Sequence, residues 1–211
     1  EYQWSNGSST QAITINSSGT YTANVTYVNG CSNNSAKKTV TVNAKPTPVI
    51  TPTGSTTFCD GGSVTLGTTS FSSYLWNNGA TSQSIIVDTT GNYIVTVTNA
   101  NGCTGSSAAV ATTENPLPNA TITVTGSTTF CAGDSVKFTA NSGTGLTYQW
   151  RKNGTNISGA TNKIYYAKTQ GTYTVRVTNA NGCSKISTGV QVIVNCKLML
   201  PEIANAQMNV Y

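Results

Sequence analysis

Gly91-Asn92-Tyr93-Ile94-Val95-Thr96-Val97-Thr98-Asn99-Ala100-Asn101-Gly102-Cys103 decides the fold of this chain. Tyr93 to Val97 alternates as a strand with one buried face does, and its β-branched residues suit a pleated surface. Asn101-Gly102 marks the turn that follows, and Thr90-Gly91-Asn92 the corner that precedes. Working outward, the same frame stands at Gly19/Tyr21 with Gly30-Cys31 and at Gly171/Tyr173 with Gly182-Cys183. From Gly to Cys the spacing is 12 residues in every copy. Ahead of each lies an aromatic pair: Tyr2/Trp4, Tyr74/Trp76 and Tyr148/Trp150. The Trp-to-Gly distance is 15, 15 and 21 residues. A recurring frame of this kind reads as tandem domains rather than one fold around one cleft.

The second copy is complete and serves as the template. Val49-Ile50-Thr51 opens a first strand, which Thr57-Phe58-Cys59 continues to the turn Asp60-Gly61-Gly62-Ser63. Val64-Thr65-Leu66, Tyr74-Leu75-Trp76, Ser84-Ile85-Ile86-Val87, Tyr93 to Val97 and Ala108-Ala109-Val110 follow. Short strands with frequent turn signals predict a β-sandwich. The third copy matches from Ile122 to Val194 and carries an insertion between Trp150 and Gly171. The first, aligned on Trp4, has no counterpart of the strands ahead of its Trp, nor of Cys59. Either further sequence upstream or a partner chain is expected to supply them, because a sandwich without those strands exposes a sheet edge. The expected fold is all-β: tandem β-sandwiches arranged as an elongated rod, the first incomplete. The expected division is 1–47, 48–118, 119–196 and a tail, 197–211. Pro46-Thr47-Pro48 and Asn115-Pro116-Leu117-Pro118 are the linkers, stiffened by proline.

Charged residues make up 8% of the chain and the formal charge is +5, spread thinly. The only adjacent basic pairs are Lys37-Lys38 and Arg151-Lys152. Nucleic acid is therefore not an expected partner. No run nears the roughly 20 apolar residues of a membrane span, so membrane insertion is not expected either. The abrupt start at Glu-Tyr-Gln-Trp reads as a mature fragment.

The sequence offers little for catalysis. It has no His, and its acids are Glu1, Asp60, Asp88, Glu114, Asp134 and Glu202, spread over turns, linkers and tail. No pair is arranged for glycoside hydrolysis, no nucleophile has an imidazole, and no oxygen-rich run suggests calcium. The expectation is no enzyme, no cofactor and no metal. Trp4, Trp76, Trp150, Tyr21, Tyr93 and Tyr173 read as core. Tyr165 and Tyr166, unique to the third copy, are weak candidates for a ligand site on opposite strand faces.

Six cysteines at repeated positions point to disulfides and an oxidising setting. Two pairings stand open. Within each repeat, Cys59 would meet Cys103, and Cys131 would meet Cys183. Yet Cys59 lies at one end of its sandwich and Cys103 at the other, separated by strands of roughly 23 Å. A disulfide needs Cα atoms within roughly 7 Å. The favoured scheme staggers the bonds, Cys59 with Cys183 of the next repeat and Cys131 with Cys196 as a cap. Cys31 and Cys103 would then have partners that this sequence does not contain.

Tyr148-Gln149-Trp150-Arg151-Lys152-Asn153-Gly154 resembles the third strand of immunoglobulin-like domains, and Gly171-Thr172-Tyr173 their tyrosine corner. With Phe-Cys-x-Gly-x-Ser-Val and Thr-Asn-Ala-Asn-Gly-Cys, residues 1 to about 196 resemble the immunoglobulin-like (PKD-related) repeats of Bacteroidota surface proteins. The tail from Leu200-Pro201-Glu202 to Met208-Asn209-Val210-Tyr211 is similar to the approach to a type IX secretion sorting domain, although Pro-Asn-Pro is absent. The resemblance implies export, release or attachment at the cell surface, and O-glycans at Thr89 (Asp88-Thr89-Thr90) and Ser135 (Asp134-Ser135-Val136). The functional expectation is a stalk or filament segment of a secreted, non-catalytic adhesin glycoprotein. The alternative is a carbohydrate-binding or spacer region of a secreted polysaccharide-degrading enzyme. Expected partners are neighbouring repeats of the same chain, other copies of itself and surface polysaccharide.

Overall fold

A computed structural model describes residues 1–195. Cys196 and the tail, with the expectations placed on them, lie outside the described residues. Every regular element among the described residues is a β-strand, and no helix is long and apolar enough to cross a membrane. Two compact units form: Glu1–Thr56 with Val64–Thr112, and Thr57–Ser63 with Thr113 onward.

In the first unit, the second repeat builds one sheet from Thr51–Thr53, Val64–Gly67 and Ser84–Val87, with Val64–Gly67 in the centre. Its facing layer is made of Ser73–Trp76, Val95–Thr98 and Thr104–Ser106, again antiparallel. Alternation places Val64, Leu66, Trp76, Ile85, Val87, Val95 and Val97 inside, all buried. The first repeat has the strands Tyr2–Trp4, Ala23–Thr26 and Ser32–Asn34 in one sheet, and Gly19–Tyr21 with Lys38–Val40 in another. Ala23 is its one buried apolar residue among those described.

The second unit contains the third repeat. One sheet is Ile122–Thr125, Val136–Ala140 and Ile164–Ala167. The other runs in the order Thr129–Phe130, Val190–Val194, Gly171–Thr178, Thr147–Lys152, Thr155–Asn156, with Ser184–Ile186 also on Gly171–Thr178. The inserted residues after Trp150 thus add a hairpin, Thr155–Asn156 against Arg151–Lys152. The core is Val136, Phe138, Ala140, Trp150, Ala167, Tyr173, Val175, Val177 and Val192. Phe138 stacks on Trp150 at 5.9 Å between ring centroids.

Two local expectations are corrected. The first strand of the second repeat does not run unbroken to Cys59. It ends at Thr53, turns at Gly54 with φ of 113°, and resumes at Thr57–Cys59. The resumed piece pairs in parallel with Thr113–Asn115. Likewise Ala108 and Ala109 precede the last strand, Val110–Asn115, and Thr104–Ser106 forms a hairpin the alternation did not show.

Candidate functional site: a cysteine staple at a parallel strand pair

The cysteines are held by two kinds of backbone device. Cys59 closes the short strand Thr57–Cys59, whose register partner is Asn115. The following turn is tight, with Gly62 donating to the Cys59 carbonyl at 2.7 Å and Asp60 to the Asn115 carbonyl at 2.8 Å. A β-carbon at Gly62 would sit 2.9 Å from the Cys59 carbonyl oxygen, so a side chain there would force the turn to open. The matching turn of the third repeat, which carries Asp134, has the longer bond to the Cys131 carbonyl, 3.2 Å. Cys183 closes the other device, the turn that begins at Asn179. The Asn179 Oδ1 accepts from the backbone N–H groups of Asn181 at 3.1 Å and Cys183 at 3.0 Å. Gly182 completes the turn in the left-handed region, φ 80°.

These devices meet in the second unit. Cys59 and Cys183 form a disulfide with Cα atoms 5.5 Å apart, closing a sequence separation of 124 residues. Of the pairings the sequence leaves open for Cys59, this is the bond present. The Cys183 sulfur lies 3.8 Å from the Asn115 carbonyl oxygen, and the residue is fully buried. Cys131 sits at the matching place one repeat on. Thr129–Phe130 runs parallel to Ile193–Val194, and the Cys131 Sγ is 3.4 Å from the Asn195 carbonyl. Its expected partner, Cys196, lies outside the described residues. Cys31 and Cys103 carry free thiols, the first exposed and the second partly so.

The aromatic frame is structural. Each Trp indole N–H donates to a backbone carbonyl: Trp4 to Thr10 at 2.8 Å, Trp76 to Ser82 at 2.9 Å, Trp150 to Asn162 at 2.8 Å. The tyrosine corner is present as a bond from the Tyr21 hydroxyl to the Ser17 carbonyl at 3.0 Å, and from Tyr173 to Thr169 at 2.8 Å. Trp76, Trp150 and Tyr173 are buried, whereas Trp4, Tyr21 and Tyr93 are only partly so. Trp4 departs from the core role because the first repeat has no strand counterpart of Val64–Gly67 facing it.

Tyr165 points inward and stacks on Trp150 at 5.6 Å. Burial, and secondarily the neighbouring Tyr173, pushes its phenol pKa up. Tyr166 faces outward, 54% exposed. The two do not converge on one surface. Thr89 and Ser135 are exposed, and the Thr89 hydroxyl lies 3.1 Å from that of Tyr93. Asp60 and Glu114, far apart in sequence, line one open hollow with Pro116 because their strands pair in parallel. Among the described residues no three His, Cys, Asp or Glu side chains gather as a metal site.

The roles of two recurring positions escaped the sequence reading, although the first lies within the Thr-Asn-Ala-Asn-Gly-Cys motif. Asn99 and Asn179 organise the turns before Cys103 and Cys183, and a signal existed in their place four residues ahead of each Cys. Ser35, Ser107 and Ser187, each four residues after a Cys, accept from the backbone N–H of Ala23, Val95 and Val175 at 2.9, 3.1 and 3.1 Å.

The two-layered strands, the buried Trp and the tyrosine corner define an immunoglobulin-like domain protein. Residues 118–196, the third repeat, match the family model described as an Ig-like domain, CHU_C associated. No curated protein matches the chain. Among solved structures, murine CEACAM1b is similar at 17% identity, covering 71% of this chain and 99% of that one, TM-score 0.35. Drosophila OTK extracellular domains 3–5 give 17% identity, 85% and 72% coverage, and a TM-score of 0.40. A 1.5-MDa bacterial ice-binding adhesin gives 16%, 83% and 74%, and 0.33. An immunoglobulin-like module of this kind is consistent with a structural or adhesion-related role outside the cell.

Proposed function

We propose that this chain is a stalk segment of a secreted cell-surface adhesin, working by spacing and stiffness rather than by chemistry on a substrate. The observation that carries the reading is the Cys59–Cys183 bond, which links the first-strand region of one repeat to the Asn-Gly-Cys turn of the next. A covalent tie between successive repeats resists their separation under load, a demand that a stalk meets and a free-standing binding module does not. Further support comes from the resemblance to type IX-exported Bacteroidota repeats and from the CHU_C-associated match. Glycans on the exposed Thr89 and Ser135 would suit a surface protein, and neighbouring repeats are the natural partners.

Single-molecule stretching tests this. With the bond intact, the 124-residue loop is locked, and on the order of 40 nm of contour length should appear only after reduction. Equal extension with and without reductant would refute the load-bearing role. Retention of the oxidised chain on insoluble polysaccharide would instead favour the carbohydrate-binding alternative.

A further inference from the structure

Cys31, Cys103 and Cys183 each stand 12 residues ahead of an Asn: Asn43, Asn115 and Asn195. Thr41-Val42-Asn43 is therefore the counterpart of Thr113-Glu114-Asn115 and of Ile193-Val194-Asn195. In both later copies this piece is one side of a parallel pair. Ile193 N–H donates to the Thr128 carbonyl at 2.8 Å and Asn195 N–H to that of Phe130 at 3.0 Å. In the first copy the antiparallel ladder with Gly19–Tyr21 reaches Val40, and Ser18 Oγ then accepts from Val42 N–H at 2.8 Å. Backbone groups alternate sides along an extended chain, so Thr41 and Asn43 present theirs to the opposite edge. Thr41, Val42 and Asn43 are all exposed.

The cysteine geometry repeats with the strand. Cys103 Sγ lies 3.8 Å from the Asn43 carbonyl oxygen, the distance that separates the Cys183 sulfur from Asn115. The Asn99 side chain donates to the Ala44 carbonyl at 3.0 Å, as that of Asn179 does to Pro116 at 2.9 Å. Cys183 is bonded to Cys59, the register partner of Asn115. A cysteine placed opposite Asn43 in a parallel strand would stand to Cys103 as Cys59 stands to Cys183.

We propose that Thr41–Asn43 and Cys103 form a docking site for a Thr-x-Phe-Cys strand, supplied by a preceding stretch of this same polypeptide, which pairs in parallel and bonds Cys103. The source follows from what the chain has already used. Thr57–Cys59 is paired and its cysteine bonded, and Thr129–Phe130 is paired, so a second copy would have to break a formed pair to donate a strand. In the complete repeats the strand that covers the Trp (Val64–Gly67, Val136–Ala140) follows Thr-x-Phe-Cys directly. One contiguous stretch would therefore cover Trp4 and reach Cys103. The bond forms by thiol–disulfide exchange: a small disulfide such as oxidised glutathione takes two electrons and two protons from the thiol pair and leaves as two thiols. This deepens the stalk reading and rests on it, since it makes the staple a serial feature.

The test uses the full chain and a synthetic peptide with the sequence of residues 49–71, in glutathione redox buffer. The expected result is a one-to-one adduct at Cys103 by peptide mapping, at least about tenfold faster than at Cys31 because docking raises the effective concentration. Amide exchange at Thr41 and Asn43 should slow, and a scrambled peptide of equal composition should show neither effect. Equal coupling of native and scrambled peptides, or equal labelling of Cys31 and Cys103, would overturn the proposal. So would a Cys103–Cys103 dimer that outcompetes the peptide, which would make a second copy the occupant. None of these outcomes bears on the Cys59–Cys183 stretching measurement, so the two readings fail separately.

Discussion

Asn179 holds Cys183 in place through the backbone, its Oδ1 accepting from the Cys183 N–H at 3.0 Å while its Nδ2 donates to the Pro116 carbonyl at 2.9 Å. One side chain thus shapes the turn that presents the sulfur and fastens that turn to the linker. Asn99 does the same for Cys103 and Ala44, at 3.0 Å in both bonds. Where the first repeat has Tyr27, Asn29 takes over part of the task, accepting from Cys31 N–H at 3.2 Å.

Asn179→Ala should lower the stability of the third repeat by about 1–2 kcal/mol, through lost hydrogen bonds and N–H groups left without their acceptor. Asn179→Asp retains the acceptor and loses only the donor to Pro116, so it should cost less. Denaturant titration of the two variants checks the order. An Asp variant as damaged as Ala would show that the linker bond, and not the turn, is what matters.

Removing the staple by Cys59→Ser with Cys183→Ser should destabilise the second unit by about 4–5 kcal/mol, the loop-entropy expectation for a closed loop of this length. Each single substitution should cost nearly as much as the pair, because either one abolishes the same bond. Measured under reductant, which brings every other cysteine to the same state in both, thermal unfolding of the double variant should match that of the native chain.

The sandwich and its corner were legible because they rest on local order. Val95 and Val97 alternate with threonines, Gly91 and Tyr93 keep their spacing, and both signals survive in the folded chain. Pairing between distant segments leaves no such trace. Nothing in Ile50-Thr51-Pro52-Thr53 shows that the chain will turn at Gly54 and that Thr57 will align with Thr113. That register also gathers Asp60 and Glu114, which a reading by position kept apart. The half-exposed Trp4 was missed for the opposite reason. Its motif is intact, and burial depends on strands that stand elsewhere in the other two repeats.

Tyr165 should make the third repeat sensitive to alkali. Its phenol pKa is raised above its ordinary value of 10.0, first by burial and then by Tyr173. The folded state therefore holds this proton more tightly than the unfolded state. The resulting stabilisation is complete below pH 10 and is lost as pH climbs through the raised value. Tyr165→Phe keeps the ring stacked on Trp150 and has nothing to ionise. Stability measured between pH 8 and 12 should fall more steeply in the native chain than in the variant. Parallel curves would show that this partly buried phenol does not govern the alkaline limit.

The three tryptophans occupy one position in the frame and should answer alike to truncation only if each has a facing sheet. Trp150 is fully buried between Phe138 and Tyr165, so Trp150→Ala should cost about 3–5 kcal/mol. Trp76, 1% exposed, should behave similarly. Trp4 is partly exposed and keeps its indole bond to Thr10, so Trp4→Ala should cost less than about 2 kcal/mol, since little apolar area leaves a buried environment. Amide exchange at Val25, Val97 and Val177 reports on the three repeats separately. The same measurement with the 49–71 peptide bound discriminates further. If that stretch covers Trp4 as Val64–Gly67 covers Trp76, the cost of Trp4→Ala should rise toward that of Trp76→Ala. An unchanged cost would mean that the docked strand pairs at the edge and leaves the indole uncovered.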